Sequence, residues 1–292
     1  MNRYLGVDSL RTIAQVRARE PEWFALADDV GAYAGDLMHD LHVSRGDKRL
    51  LLAALLYRRV TGAFEAVMVL AERGMYTEGL ATRRAMLEAL FVLGAICNQP
   101  TLVEDYIKND EHRRRDIFKN IKKLNPKLRA ALAPELTPEV VDQSVAELEC
   151  STKCVTHLGP GRYAQAAKLN DLYLTDYAFL SEAAHHVAKD LERNIALDAD
   201  GDVDGFYWGP EPDRPSTLLF PATDHMLMAA HTVATMFNLD RAPLLEQLRQ
   251  RVENMFKRLP MRRNMSGIAA VNFAWFRGNV GNHAALEKMG HQ

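Results

Sequence analysis

Apolar residues recur every three or four positions along most of the chain, the spacing of one face of an α-helix. The first such stretch predicts a helix from about Ser9 to Ala18. Pro21 suits the first turn of a second helix reaching about Leu41. Ser44-Arg45-Gly46-Asp47 reads as a turn with Asp47 as N-cap of a long helix to about Arg73, and Gly74 suits the position after its end. A helix over Thr77–Cys97 follows and stops before Asn98-Gln99-Pro100. Thr101 and Glu104 have the spacing of a capping box, opening a helix that runs to about Leu124.

Pro126 and Pro134 punctuate a short connection, and Thr137-Pro138-Glu139 opens a helix ending near Gly159-Pro160-Gly161. Two more helices, about Leu169–Ile195 and Ala222–Phe237, frame an acidic, Gly- and Pro-rich insert at 198–221. Its Asp-Gly pairs fit a β-hairpin turn. A last helix covers Pro243–Leu259. From Met261 to Gln292 the chain is basic, contains glycine and is weakly periodic, and reads as a tail or peripheral arm. No repeat of 30–50 residues is evident. The expectation is an all-α, multi-helix bundle of about eight to ten helices with one small β-hairpin insert. Residues 1–44 form N-terminal helices, 45–260 the helical core domain and 261–292 the tail.

Composition changes this picture little. Apolar residues make up 48% and charged ones 25%, ordinary for a globular chain. A net charge of −2 excludes a global attraction to nucleic acid or to an anionic membrane. The apolar runs Leu50–Leu56 and Ala89–Cys97 are far short of the roughly 18 residues of a membrane span. The N-terminus has no apolar stretch followed by a cleavage site, so a cytoplasmic location is expected. Cys97, Cys150 and Cys154 are too few for a disulfide framework. They read as reduced packing residues, and no metal or cofactor is expected.

Three constellations carry candidate chemistry. Arg84 and Glu88 are one helical turn apart and can pair. Such a pair is either a buried polar site or a solvated ion pair. Tyr177, Ser181 and His185 recur every four residues, so at about 3.6 residues per turn they project from nearly one face. A phenol, hydroxyl and imidazole in a column can bind a polar ligand, relay protons or knit helices together. A regular helix gives Ser181 neither the strained elbow nor the oxyanion hole of a hydrolase nucleophile. The third is basic: eight Lys/Arg and one acid lie between Arg113 and Arg129. Arg115, Lys119, Lys122 and Lys123 share a face, and with Arg113 they could neutralise phosphates or simply be solvated.

Two further patterns are weaker. Asp200, Asp202, Asp204, Gly205 and Glu211 fall at EF-hand positions, but Tyr207 stands where an aliphatic residue belongs, and Pro212 and Pro215 argue against a following helix. An acidic hairpin turn is the simpler reading. Arg277 and His283 have a spacing used by helical HEPN ribonucleases, yet two intervening glycines disfavour a helix there.

With these residues in view, the chain resembles bacterial proteins of the helical DUF5677 family, which has no agreed activity. Arg84-Ala-Met-Leu-Glu88-Ala89, after the Gly74–Tyr76 turn, is similar to the family's Arg-x-x-x-Glu helix. Leu180-Ser181-Glu-Ala-Ala-His185, preceded by Tyr177, is similar to its Tyr…Ser…His helix. The resemblance covers about residues 45–240, with Asp110 and Arg114 placed in the same pattern. It implies that Arg84, Glu88, Tyr177, Ser181 and His185 meet in a buried polar cluster inside a bundle. It names no substrate.

The leading expectation is a non-catalytic module holding a small polar ligand or protein partner at that cluster, with bacterial stress or phage defence as its setting. The alternative is a metal-independent ribonuclease. His185 would be its general acid/base, Arg84 would stabilise phosphate charge with Glu88 as a further catalytic residue, and Arg113–Arg129 would bind RNA. A third reading is a structural protein that forms homo-oligomers.

Overall fold

The structure, a computed structural model, describes residues 4–5, 8–44, 46–153, 158–184, 195–213 and 215–258. Eleven helices and one two-stranded hairpin are present among them. The helices are α1 (Ser9–Arg19), α2 (Pro21–His39), α3 (Lys48–Glu72), α4 (Tyr76–Asn98), α5 (Leu102–Lys122), α6 (Pro126–Leu132), α7 (Pro138–Thr152) and α8 (Pro160–Ala166). In α9, Asn170–Leu172 leads through a π turn, Tyr173–Tyr177, into Ala178–Ala184. Strands β1 (Ile195–Leu197) and β2 (Val203–Phe206) precede α10 (Pro215–Met236) and α11 (Ala242–Arg258).

The local rules decide several boundaries. Asp47 caps α3 by accepting from the Leu50 backbone N–H at 2.9 Å. The end of α3 is a Schellman turn: Met75 N donates to the Leu70 carbonyl and Gly74 N to that of Ala71. Gly74 sits there at φ +67°. A Cβ on it would come within 2.8 Å of the Glu211 backbone nitrogen, which donates to the Gly74 carbonyl. This turn lays α4 back along α3, and α10 packs across α2, α3 and α4. Tyr57, Phe24, Phe64 and Phe91 lie fully inside the core so formed, and α2 contributes Trp23, Leu26 and Val30 to the same cluster. Phe220 of α10 joins Trp23 edge-on and stacks on Phe256 of α11. Helices α8 and α9 cover another side of α4.

Some expectations need correction. Thr101 precedes α5 but makes no side-chain cap, and Glu104 reaches instead to Lys48 at 2.9 Å, so there is no capping box. The Pro126–Pro134 connection contains a seven-residue helix with Asn125 as its cap. Pro160 does not end a helix but opens α8.

The region after α9 differs most. Ile195 opens a strand rather than closing a helix. The hairpin turns at Asp200-Gly201, with Gly201 at φ +90°. Asp198 Oδ1 accepts from the backbone N–H of Asp200 and Asp202, which organises the acidic turn. Pro215, expected to forbid a helix, stands at the first position of α10, where its missing N–H costs nothing. Glu20 holds that end, accepting from Ser216 N at 2.7 Å and Ser216 Oγ at 3.0 Å. Helix α10 therefore includes Pro221 in its interior and leaves only 195–213 to the insert.

No helix among the described residues is long and apolar enough to cross a membrane. Among the same residues no group of three or more His, Cys, Asp or Glu is placed to hold a metal ion. The Cys154, Arg277 and His283 readings fall outside the described residues.

Candidate functional site

Arg83 and Arg84 are consecutive on α4 and so point about 100° apart. Each meets one of two consecutive residues of the π turn in α9, Asp176 and Tyr177. The result is two adjoining polar groups, one inside the core and one at its edge.

The outer group brings together three of the five residues expected to meet, Arg84, Glu88 and Tyr177. Tyr177 Oη donates to Glu88 Oε1 at 2.8 Å and accepts from Arg84 Nη2 at 3.2 Å. Arg84 Nε lies 3.4 Å from Glu88 Oε1, and the guanidinium carbon stands 5.3 Å from the Tyr177 ring centroid. The ring is held by tilted contact with Phe91 and by stacking on Tyr173. Burial raises the pKa of the Tyr177 phenol; the hydrogen bond from Arg84 pulls it down and the one to Glu88 pushes it back up. It is a neutral donor at physiological pH, not a base. Ser181 Oγ donates back to the Tyr177 carbonyl at 2.8 Å, bonding within its own helix and not across to Arg84 or Glu88.

The cluster is not buried as expected. The Arg84 side chain is 24% exposed and that of Glu88 42%. Both charges can be reached from solvent while the Tyr177 ring stays inside. His185 lies outside the described residues.

The inner group was not legible as a site. Arg83 is 1% exposed. Its Nη2 donates to Asp176 Oδ1 and its Nη1 to the Thr217 carbonyl of α10 at 3.2 Å. That carbonyl is the one residue 221 would take in an unbroken helix, and Pro221 has no N–H to give it. Close approach of the two helices makes the bond possible: Gly79, one turn before Arg83, leaves room for Leu218, whose Cδ1 stands 2.7 Å from where a Cβ would be. His225 of α10 completes the group, with Nε2 3.5 Å from Asp176 Oδ2 and no partner for Nδ1 among the described residues. Burial pushes its pKa down to about 4, assisted by Arg83 and opposed by Asp176, so the imidazole is neutral. The available signal was that Arg83 lies within the apolar stripe of Leu80, Leu87 and Leu90.

The remaining candidates are elsewhere. Asp110 and Arg114 are exposed on α5 and bond to no residue of either group. On the same helix Lys119 pairs with Glu149 at 2.6 Å and Lys122 with Asp142 at 2.7 Å, both acids belonging to α7. Arg115 pairs with its neighbour Asp116 and reaches Thr152 of α7. Part of the basic face thus holds α7. Arg113 and Lys123 make no ion pair among the described residues.

A family model described as a family of unknown function, DUF5677, matches residues 50–203, more than half of the 292-residue chain. The chain belongs to this family. The DUF5677 match is narrower than the 45–240 expected and runs from α3 into β2. It includes Arg83, Arg84, Glu88, Asp176, Tyr177 and Ser181 but not His225. Nothing among curated proteins or solved structures matches the chain.

Proposed function

We propose that this DUF5677 chain is a non-catalytic binding module whose half-exposed edge, Arg84, Glu88, Tyr177 and Ser181, takes a polar ligand carrying an anionic group. The observation that supports it is the Tyr177 hydroxyl shared between a cation and a carboxylate that both reach solvent. A guanidinium supported from behind by a ring is a strong fork for carboxylate or phosphate. Glu88 beside it favours a ligand that also carries a hydroxyl or amine. The phenol is held protonated, so the cluster offers recognition rather than proton abstraction. The setting in a bacterial cytoplasm, in stress or phage defence, is part of this proposal.

The ribonuclease reading draws less support, because Lys119 and Lys122 are engaged by α7. The test is thermal unfolding with inorganic phosphate, AMP or a single-stranded RNA, run on wild type, Arg84→Gln and Tyr177→Phe, with RNA cleavage followed in parallel for His185→Ala. Stabilisation of wild type by phosphate or AMP, lost in Arg84→Gln, is expected. RNA cleavage that disappears with His185→Ala would overturn the binding-module reading.

A further inference from the structure

Helix α5 has two halves. Its first half seats Val103, Asn109 and His112 in the interior, with Tyr106 against the core. At the same helical spacing that side continues through Ile117, Ile121 and Leu124, beyond the edge of the core. Ile117 is 57% exposed, Leu124 38%, and Leu128 of α6 47%. Lys119 and Lys122 face the opposite way, toward α7. The apolar overhang is bordered by Arg113, Arg114, Lys123 and Lys127, all exposed and without an ion pair among the described residues.

The hairpin is its chemical complement. Residues 195–213 hold six carboxylates and no Lys or Arg. Asp213 is paired with Arg19, whereas Asp198, Asp200, Asp202 and Asp204 have no cation partner among the described residues. Beside these acids stand Leu197, Val203, Phe206, Tyr207 and Trp208, each 60% exposed or more. Large apolar and aromatic side chains open to water are a costly surface unless something covers them. A lone two-stranded hairpin also has little stability of its own. Among the described residues, both surfaces stand open to solvent.

We infer that the hairpin of one copy docks on the α5–α6 overhang of a second copy, its aromatics on Ile117, Leu124 and Leu128 and its aspartates on Arg113, Arg114, Lys123 and Lys127. A twofold axis makes the contact twice and closes the assembly as a dimer. The pairing of opposite charges fixes which surfaces meet, and the buried aromatics supply the anchor.

The test is sedimentation velocity on the full chain at low and high salt. Two charge-reversed variants are compared with wild type, Asp200→Lys/Asp202→Lys in the hairpin and Arg113→Glu/Lys127→Glu on the helices. All four positions are exposed, and unchanged circular dichroism verifies folding. Wild type should be a dimer that weakens as salt rises. Each variant alone should associate about tenfold more weakly or worse, since like charges now oppose. Mixing the two variants, or combining all four reversals in one chain, should restore association. A monomeric wild type overturns the proposal, as does a dimer indifferent to both reversals. A monomer that binds single-stranded RNA through Arg113 and Lys127 would overturn it in favour of RNA as the occupant of the overhang.

Discussion

Arg83 bonds to two other helices from a position without solvent. Arg83→Met leaves Asp176 as a buried charge and takes the donor from the Thr217 carbonyl. Breaking a buried ion pair from one side costs about 3–5 kcal/mol, so urea denaturation should show a loss of that size. Arg83→Met combined with Asp176→Leu should cost less than the sum of the two changes, because no charge is then stranded. His225 gives a pH signature. Its folded pKa, about 4, lies below the ordinary histidine value. The unfolded chain therefore binds the proton first as pH falls. Stability from this group is complete above about pH 6.5 and is lost on going down toward 4, by roughly 2–3 kcal/mol at pH 4.5. Half-buried Asp224, raised to about 6 mainly by burial, acts in the opposite sense and flattens the total slope. Comparing His225→Gln with wild type isolates the histidine: the variant should lose less stability between pH 7 and 4.5, and equal losses would refute the assignment. Arg84, Glu88, Tyr177 and Ser181 could be found from spacing because each pair lies on one helix. Arg83, Asp176 and His225 sit on three different helices, and only the charge inside an apolar stripe betrayed Arg83.

Among the elements, the π turn of α9 explains why spacing succeeded in one direction and failed in the other. From Ala178 onward the helix is regular, and Tyr177, with Ser181 one turn later, behaves as a periodicity of four requires. Before that point the wider turn changes the register, so Asp176 enters the core beside a residue whose side chain ends at its edge. Proline misled the reading of α10 for a related reason. Pro215 and Pro221 are breakers by local rule, but the first needs no partner at a helix start and the second has its vacated carbonyl satisfied by Arg83. Tertiary contact thus extended α10 by seven residues past the expected Ala222. Gly74 is the opposite case, where the local rule sufficed. Gly74→Ala meets both a left-handed backbone and the Glu211 backbone nitrogen 2.8 Å from the new Cβ. The cost should be about 1–3 kcal/mol, a fall of several degrees in melting temperature. An unchanged melting temperature would show that the α3–α4 turn yields freely.

Across the whole molecule, burial is unevenly shared, and stability should follow it. Helices α4 and α10 carry the longest runs of interior residues, including Leu87, Leu90, Phe91 and Leu93 on one and Leu227, Ala229, Ala230 and Val233 on the other. Helix α7 buries only Val141 and Thr152, and past His112 no residue of α5 is buried. The end of α5 and α7 are joined largely by exposed pairs, Lys119–Glu149 and Lys122–Asp142, each worth at most about 1 kcal/mol. Opening free energies follow local burial, so amide hydrogen exchange should separate the molecule into two levels. Amides of α4 and α10 should exchange only through global unfolding, whereas those of α6, α7 and the second half of α5 should exchange through a smaller, salt-sensitive opening. If a second copy covers the overhang, raising the protein concentration should slow exchange at Ile117 and Leu124, the sites the contact closes, and should also slow α4 in so far as the dimer resists global unfolding. Uniform protection across all these helices at every concentration would mean that the α5–α7 arm is anchored by something other than its exposed ion pairs.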